Sequence, residues 1–302
     1  MRILIFLTNP IRAFAATAEQ LAALERRLPK HSLLVALTEV DFLRELPHAD
    51  AVVVWRFSAE WYEAAPRLAH VCTPSAGRER IAPAPSARCT RHFGAFHGQI
   101  MAESLLAMML FMNRRLGDAH DAQRARRWDP HLFEQTRPLA GQTALLLGYG
   151  AIGRHAARLL SATGMRVHGL KRDATRGGEG VERLFSAEQL LDAVALADHV
   201  ACLLPSDTGS DRLLDARALE RMKPSAALYN LGRGNAVDID ALRAALGEER
   251  IAGAFLDVLP DEPLPRDSPL WATPKLYFTP HASAVRADYL DLYFAELAEL
   301  FA

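Results

Sequence analysis

The chain has 302 residues, enough for two domains of ordinary size with separate cores. A hydrophobic share of 50%, a charged share of 24% and a formal net charge of −1 are those of a soluble globular protein and give no electrostatic reason for a nucleic-acid or anionic-membrane partner. No uninterrupted apolar run approaches ~18 residues, so no membrane span is expected. Cys72, Cys89 and Cys202 are odd in number and lack metal-ligand spacing, which points to reduced thiols, no metal site and a cytoplasmic setting.

Residues 1 to 96 alternate strand and helix signals. The start, MRILIFLTNP, is too short and too soon broken by Pro10 for a secretory signal, and Arg2 to Leu7 reads as a first strand. Phe14, Leu21, Leu24 and Leu28 mark one helix face, Ser32 to Leu37 and Ala51 to Trp55 are strand-like, and Trp61 to Leu68 is expected to be helical. This alternation predicts a parallel sheet covered by helices, a small flavodoxin-like α/β domain. Arg56 is read either as an anion contact or as a solvated strand end. The segment His70-Val71-Cys72-Thr73-Pro74-Ser75-Ala76-Gly77 ends in small residues that let a ligand reach backbone amides, which suits a carboxylate; an ordinary strand-to-loop turn has the same composition.

Gln99 to Asn113 is apolar on most of its circumference, so it is expected as a helix buried between domains or in a subunit contact. Arg114 to Trp128, arginine-rich without interleaved aromatics, is read as a solvated helix or a dimer arm rather than a nucleic-acid surface. Strand candidates follow at Thr143 to Leu147, Met165 to Leu170, His199 to Leu204, Ala226 to Leu231, Ala252 to Leu256 and Leu276 to Thr279. Six strands with crossovers suit a complete Rossmann domain with a doubly wound parallel sheet. Ala287 to Phe301 is helical in pattern and is expected to return to the first domain. The substrate domain would then be residues 1–96 plus 286–302, and the dinucleotide-binding domain residues 97–285.

Within that second half, Thr143 to Leu147 ends at Gly148-Tyr149-Gly150-Ala151-Ile152-Gly153, after which Ile152, Ala156, Leu159 and Leu160 recur at helical spacing. In a dinucleotide site the first glycine permits the tight turn, the second lets backbone approach a pyrophosphate, and the third lets helix pack on strand. The helix start then offers its amides to the phosphates. Methyltransferases share such a turn, and the β-like run from Met165 at βαβ spacing favours the dinucleotide reading. An acidic residue some 20 positions on normally accepts from the adenosine ribose. Here Lys171 and Arg172 stand in that place, and cations pair with the 2′-phosphate that a carboxylate would repel. NADP is therefore expected in preference to NAD, with Asp173 as the alternative ribose ligand.

Three later segments place a functional group just after a strand, where open α/β sheets build their ligand crevice. Asn230-Leu231-Gly232-Arg233-Gly234 exposes one guanidinium, whose planar fork matches both oxygens of a carboxylate. Leu256-Asp257-Val258-Leu259-Pro260-Asp261-Glu262-Pro263 holds Glu262 between prolines, and Thr279-Pro280-His281-Ala282-Ser283 presents an imidazole among small neighbours. A carboxylate beside an imidazole stabilises the imidazolium, a pair suited to reducing a ketone.

With GYGAIG, MKPSAALYNLGRG, GAFLDVLPDEPLP and TPHAS in place, the chain resembles the D-isomer-specific 2-hydroxyacid dehydrogenases, most specifically from Leu139 to Ser283. That family contains glyoxylate/hydroxypyruvate reductases, D-lactate dehydrogenases and phosphoglycerate dehydrogenases. The resemblance implies Arg233 as substrate-orienting residue, His281 as acid/base and Glu262 as its partner. It implies that Asp257, Leu204 with Pro205, the Leu231 to Arg233 backbone and Ser283 approach the cofactor, and that Ser75, Ala76 and Gly77 hold the substrate carboxylate through backbone amides. It also implies that the greasy helix from Gln99 is a dimer helix, hence a homodimer. The chain departs from the family at Lys171, commonly acidic, and at Arg78-Glu79-Arg80, where an apolar residue and Asp usually continue the carboxylate loop.

The expected activity is reduction of a small 2-oxo acid such as glyoxylate or hydroxypyruvate, with hydride moving from NADPH to C2 in a cleft between domains. The other reading is a nucleotide-sensing scaffold like the C-terminal-binding-protein corepressors of the same fold.

Overall fold

The computed structural model describes residues 1–134, 136–174, 178–206 and 209–302. They form two compact units: Met1–His97 with Val285–Ala302, and Gly98–Ala284.

In the first unit β1 (Arg2–Phe6), β2 (Ser32–Val35), β3 (Ala51–Val54), β4 (His70–Thr73) and β5 (Thr90–Phe93) make one sheet in the order β2-β1-β3-β4-β5. All its pairings are parallel, with Ile3 opposite Ala51 and Val52 opposite Val71. This is the flavodoxin-like order. Apolar residues run unbroken through β3 and through β1 after Arg2 because both faces of the sheet are covered; on one face Leu4, Val52 and Val54 pack with Phe42, Leu46, Phe57 and Trp61. The helix α1 (Ala18–Arg27) starts at a Thr17–Gln20 capping box, and α2 (Glu39–Glu45) starts at Thr38, whose side chain accepts from the Asp41 amide.

Several expectations shift here. Phe14 lies in a 3-10 turn before α1 rather than within it. The helix expected over Trp61 to Leu68 is the single turn α3 (Glu60–Glu63), because Pro66 lacks an N–H and its ring clashes with the carbonyl four residues back. Strand β5 had no signal, since Thr-Arg-His-Phe sits at the sheet edge and none of it is fully buried. The C-terminal helix, Tyr289–Phe301, buries Tyr289, Leu290, Tyr293, Phe294, Leu297 and Phe301 at helical spacing and lies against α1.

In the second unit α4 (Gly98–Asn113) and α5 (Leu116–Arg124) precede the sheet. There follow β6 (Thr143–Leu147), α6 (Ala151–Ala162), β7 (Arg166–Leu170), β8 (Arg183–Phe185), α7 (Leu190–Leu196) and β9 (His199–Cys202). Then come α8 (Ala216–Arg221), β10 (Ala227–Asn230), α9 (Ile239–Gly247), β11 (Gly253–Leu256) and β12 (Leu276–Phe278). The parallel sheet runs β12-β11-β10-β9-β6-β7-β8, so the winding reverses between β6 and β9. A doubly wound sheet opens its ligand crevice at that reversal, beyond the carboxyl ends of the strands. Strand β8 was missed because it is three residues long at the edge, with only Phe185 buried. The greasy α4 lays Met101, Ala102, Leu105, Met108 and Met109 into this unit's own core against α6, and a Cβ on Gly98 would lie 2.4 Å from the His155 ring. At the start of β9, His199 is buried between the Tyr229 hydroxyl (3.0 Å) and the Gln142 amide (2.8 Å), and burial pushes it down to about 4, so it is neutral at ordinary pH. Among the described residues no helix is long and apolar enough to cross a membrane.

Candidate active site

The three glycines after β6 occupy three different environments. Gly148 has φ of 100°, a conformation that disfavours any side chain, and a Cβ there would sit 3.1 Å from the Leu203 carbonyl. A Cβ on Gly153 would lie 2.6 Å from the Gly148 carbonyl oxygen, so helix and strand touch there. A Cβ on Gly150, by contrast, would meet nothing within 4 Å. Gly150 is also the N-cap of α6 and supplies no side-chain acceptor, so among the described residues the amides of Ala151, Ile152 and Gly153 have neither an intrahelical nor a capping partner. An open cradle under a helix start fits a pyrophosphate.

Beyond β7, Lys171 and Arg172 follow Leu170, and the Lys171 amide donates to the Phe185 carbonyl at 3.1 Å. Among the described residues Lys171 has no carboxylate partner.

The segments after β9, β10, β11 and β12 lock together. A Cβ on Gly232 would lie 2.4 Å from the Leu204 carbonyl oxygen, and one on Gly234 would lie 2.2 Å from the Leu259 carbonyl. Arg233 is therefore carried on a loop wedged between Leu203-Leu204-Pro205 and Leu259-Pro260. Asn230, buried at the end of β10, shapes that loop: its oxygen accepts from the Gly232 amide at 3.1 Å and its nitrogen donates to the Arg233 carbonyl at 2.9 Å. The Glu262 carboxylate accepts from the Leu259 amide with one oxygen (2.9 Å) and meets His281 Nδ1 with the other (2.7 Å). Their side chains are 50% and 38% exposed for His281 and Glu262, so water screens the pair and its worth lies in aiming the ring. With Nδ1 engaged, Nε2 is left without a partner among the described residues, positioned to give or take a proton.

His281 has φ of 53°, left-handed for a residue that carries a side chain. Asp257 holds it there. This carboxylate, 1% exposed, accepts from Thr279 Oγ1 (2.6 Å) and the Ala282 amide (2.8 Å) on one oxygen and from the Ser283 amide (3.0 Å) on the other. The Asp257 carbonyl accepts from the His281 amide at 2.8 Å. The resemblance turned Asp257 toward the cofactor; the structure spends its oxygens on the histidine loop. Ser283 is buried, and its carbonyl accepts from Ser104 Oγ of α4 at 2.8 Å.

In the first unit the Ser75–Gly77 turn follows β4. The Ser75 amide donates to Thr73 Oγ1 (3.3 Å) and the Gly77 amide to Ser75 Oγ (3.1 Å), so of the three amides the Ala76 amide alone has no acceptor among the described residues. Below the turn the Tyr289 hydroxyl lies 2.8 Å from His97 Nε2 and 3.3 Å from the Pro74 carbonyl. Arg56 is paired with Glu39 and lies over the Trp61 ring, which favours the strand-end reading for it. Asn230, Thr279 and Tyr289 carry these loops although no role was read for them in the sequence. For Asn230 the signal was present, an Asx residue two positions before a glycine.

The model of the D-isomer specific 2-hydroxyacid dehydrogenase NAD-binding domain matches residues 106–283. Glyoxylate/hydroxypyruvate reductase A of Citrobacter koseri is 34% identical over 188 residues, 62% of this chain and 59% of that protein. Glyoxylate/hydroxypyruvate reductase B of Pectobacterium carotovorum is 30% identical over 89% of this chain and 87% of its own length. The chain spans about half the length of the mycobacterial D-3-phosphoglycerate dehydrogenases it also matches. A D-isomer specific 2-hydroxyacid dehydrogenase from Xanthobacter autotrophicus, solved with NADPH and MES, superposes with a TM-score of 0.81 at 27% identity, covering 99% of this chain and 94% of that one.

Proposed function

Since the chain belongs to the D-isomer specific 2-hydroxyacid dehydrogenase family, we propose that it reduces a 2-oxo acid to the D-2-hydroxy acid with a reduced nicotinamide coenzyme. The observation that carries this reading is the His281 Nδ1 to Glu262 contact of 2.7 Å on loops that follow neighbouring strands β12 and β11. The coenzyme, when bound, supplies the hydride that reaches C2 of the substrate. Its pyrophosphate is assigned to Gly148, Gly150 and the amides of Ala151, Ile152 and Gly153, with Leu204, Pro205, Leu231, Gly232 and Ser283 around the rest.

Arg233 orients the substrate by its carboxylate and carbonyl, since a planar guanidinium can donate to two oxygens at once. His281 gives a proton from Nε2 to the carbonyl oxygen as negative charge builds there, and Glu262 stabilises the imidazolium and keeps the ring in one orientation. The Ala76 amide is assigned to a substrate carboxylate, which reduces the three-amide expectation for that turn to one.

Glyoxylate and hydroxypyruvate are the proposed substrates to try first, following the names of the Citrobacter and Pectobacterium relatives. Lys171 and Arg172 support NADP over NAD. A cytoplasmic homodimer belongs to the same reading, supported by the exposed apolar side chains of Leu110, Leu116 and Trp128. The test is a panel of small 2-oxo acids assayed with NADPH and with NADH. Oxidation of either coenzyme with any of them supports the reading, and coenzyme binding without turnover across the panel would leave the nucleotide-sensing scaffold in its place.

A further inference from the structure

The segment that continues the Ser75–Gly77 turn, Arg78-Glu79-Arg80, has no part in the chemistry so far. Arg78 holds its guanidinium 5.1 Å from the centre of the Phe93 ring, and Arg91 approaches the same ring to 5.8 Å. Among the described residues neither has a carboxylate partner; Arg91 gives one N–H to the Ile81 carbonyl at 3.2 Å. Two cations drawn to one phenyl ring repel each other, and an anion beside them relieves that repulsion.

The ground they stand on is fixed. The Phe57 amide donates to the Arg80 carbonyl (2.8 Å), the Ile81 amide to the Arg78 carbonyl (3.2 Å) and the Ala82 amide to the Phe57 carbonyl (2.9 Å), with Ile81 buried. Between residues 75 and 97 there are four arginines and one glutamate, a net of +3 (4 − 1) in a chain whose total is −1. The excess is local and sits directly beside the turn assigned to a carboxylate.

We propose that Arg78, with Arg91 beside it, recognises a second anionic group on the substrate, so that the preferred 2-oxo acid carries a carboxylate, sulfonate or phosphate at its far end. This rests on the reductase reading and refines its substrate class. The Arg78 Cα lies one residue, about 3.8 Å, from that of Gly77, and its side chain reaches roughly 6 Å further, the span of a short 2-oxo diacid. A planar guanidinium offers two parallel N–H groups to such an oxyanion.

The experiment compares length-matched pairs, oxaloacetate against 2-oxobutyrate and 2-oxoglutarate against 2-oxopentanoate, in the wild type, Arg78→Gln and Arg78→Lys with NADPH and with NADH. In the wild type the diacid of each pair should have the higher kcat/KM, and Arg78→Gln should lower the diacid-to-monoacid ratio at least tenfold. Arg78→Lys should fall between, since it keeps the charge and loses the fork, and added salt should lower the wild-type ratio. A wild type that prefers the monoacids, or a ratio unmoved in Arg78→Gln, overturns the proposal while leaving the reductase reading intact. If no 2-oxo acid of either kind is turned over, the reductase reading fails instead. Calorimetric binding of 2-oxoglutarate and 2-oxopentanoate to wild type and Arg78→Gln then decides the Arg78 site on its own, with equal affinities counting against it.

Discussion

Removing the Asp257 carboxylate tests whether the histidine loop is held by the contacts described. In Asp257→Ala three donors, Thr279 Oγ1 and the amides of Ala282 and Ser283, lose their acceptor in a place that is 1% exposed. An unmet buried donor costs about 1–3 kcal/mol; the Ser283 bond is buried and the other two are part-buried, so the gross penalty lies between about 1 and about 9 kcal/mol. The loop need not bear it, because the half-exposed His281 and its neighbours can swing into water for the cost of a few hydrogen bonds. That release also frees His281 from its left-handed conformation, worth about 1–2 kcal/mol in favour of opening. We therefore expect the protein to stay folded with the imidazole adrift, and a displacement of about 1 Å at a reacting group costs roughly a hundredfold in rate. In Asp257→Asn one acceptor oxygen remains while the amide nitrogen meets a donor, and about a tenfold loss is expected. Steady-state coenzyme oxidation gives kcat, and fluorescence titration gives the Kd of the reduced coenzyme. A Kd that rises while kcat holds would show that Asp257 serves the coenzyme rather than the loop and would refute this reasoning.

His281→Ala should lower kcat about a hundredfold to ten-thousandfold with coenzyme binding retained, and near-normal turnover would remove it from the proton-transfer role. Arg233→Ala should raise KM and lower kcat together, with Arg233→Lys recovering only part because a point charge replaces a fork; normal kinetics in both would exclude it. Lys171→Glu should weaken NADPH more than NADH, and an unchanged Kd ratio would dismiss Lys171 as the 2′-phosphate contact. His199 concerns stability. Its pKa falls from the ordinary 6.5 to about 4 on burial, so stability is full above about 6.5 and is lost as pH falls from there toward 4, by at most about 3 kcal/mol. His199→Gln should flatten the fall in Tm between pH 7 and pH 5, and a parallel fall in wild type and variant would assign the sensitivity elsewhere.

Both sheets were legible because buried parallel strands read as short apolar runs: Ala51 to Val54 and Thr143 to Leu147 are fully buried and were found within a residue of their limits. Edge strands β5 and β8 bury too little to leave such a run. The segments bearing Arg233, Glu262 and His281 were legible as groups placed just after strands, and the structure brings His281 and Glu262 within 2.7 Å. What the sequence did not carry is who holds whom. Asp257 and Asn230 act through hydrogen bonds to residues 25 and 26, or two and three, positions on, and only the fold reveals whether a buried polar side chain faces a ligand or a neighbouring loop.

The squeeze at Gly234, where a Cβ would come within 2.2 Å of the Leu259 carbonyl, joins the arginine loop to the start of the glutamate loop. Two functional groups on one wedge move as one part. Laboratory evolution toward new substrates should therefore leave Asn230 to Gly234 and Leu259 to Glu262 untouched, and improved variants should accumulate changes in the Arg78 to Arg91 segment, whose arginines can be exchanged without disturbing the wedge.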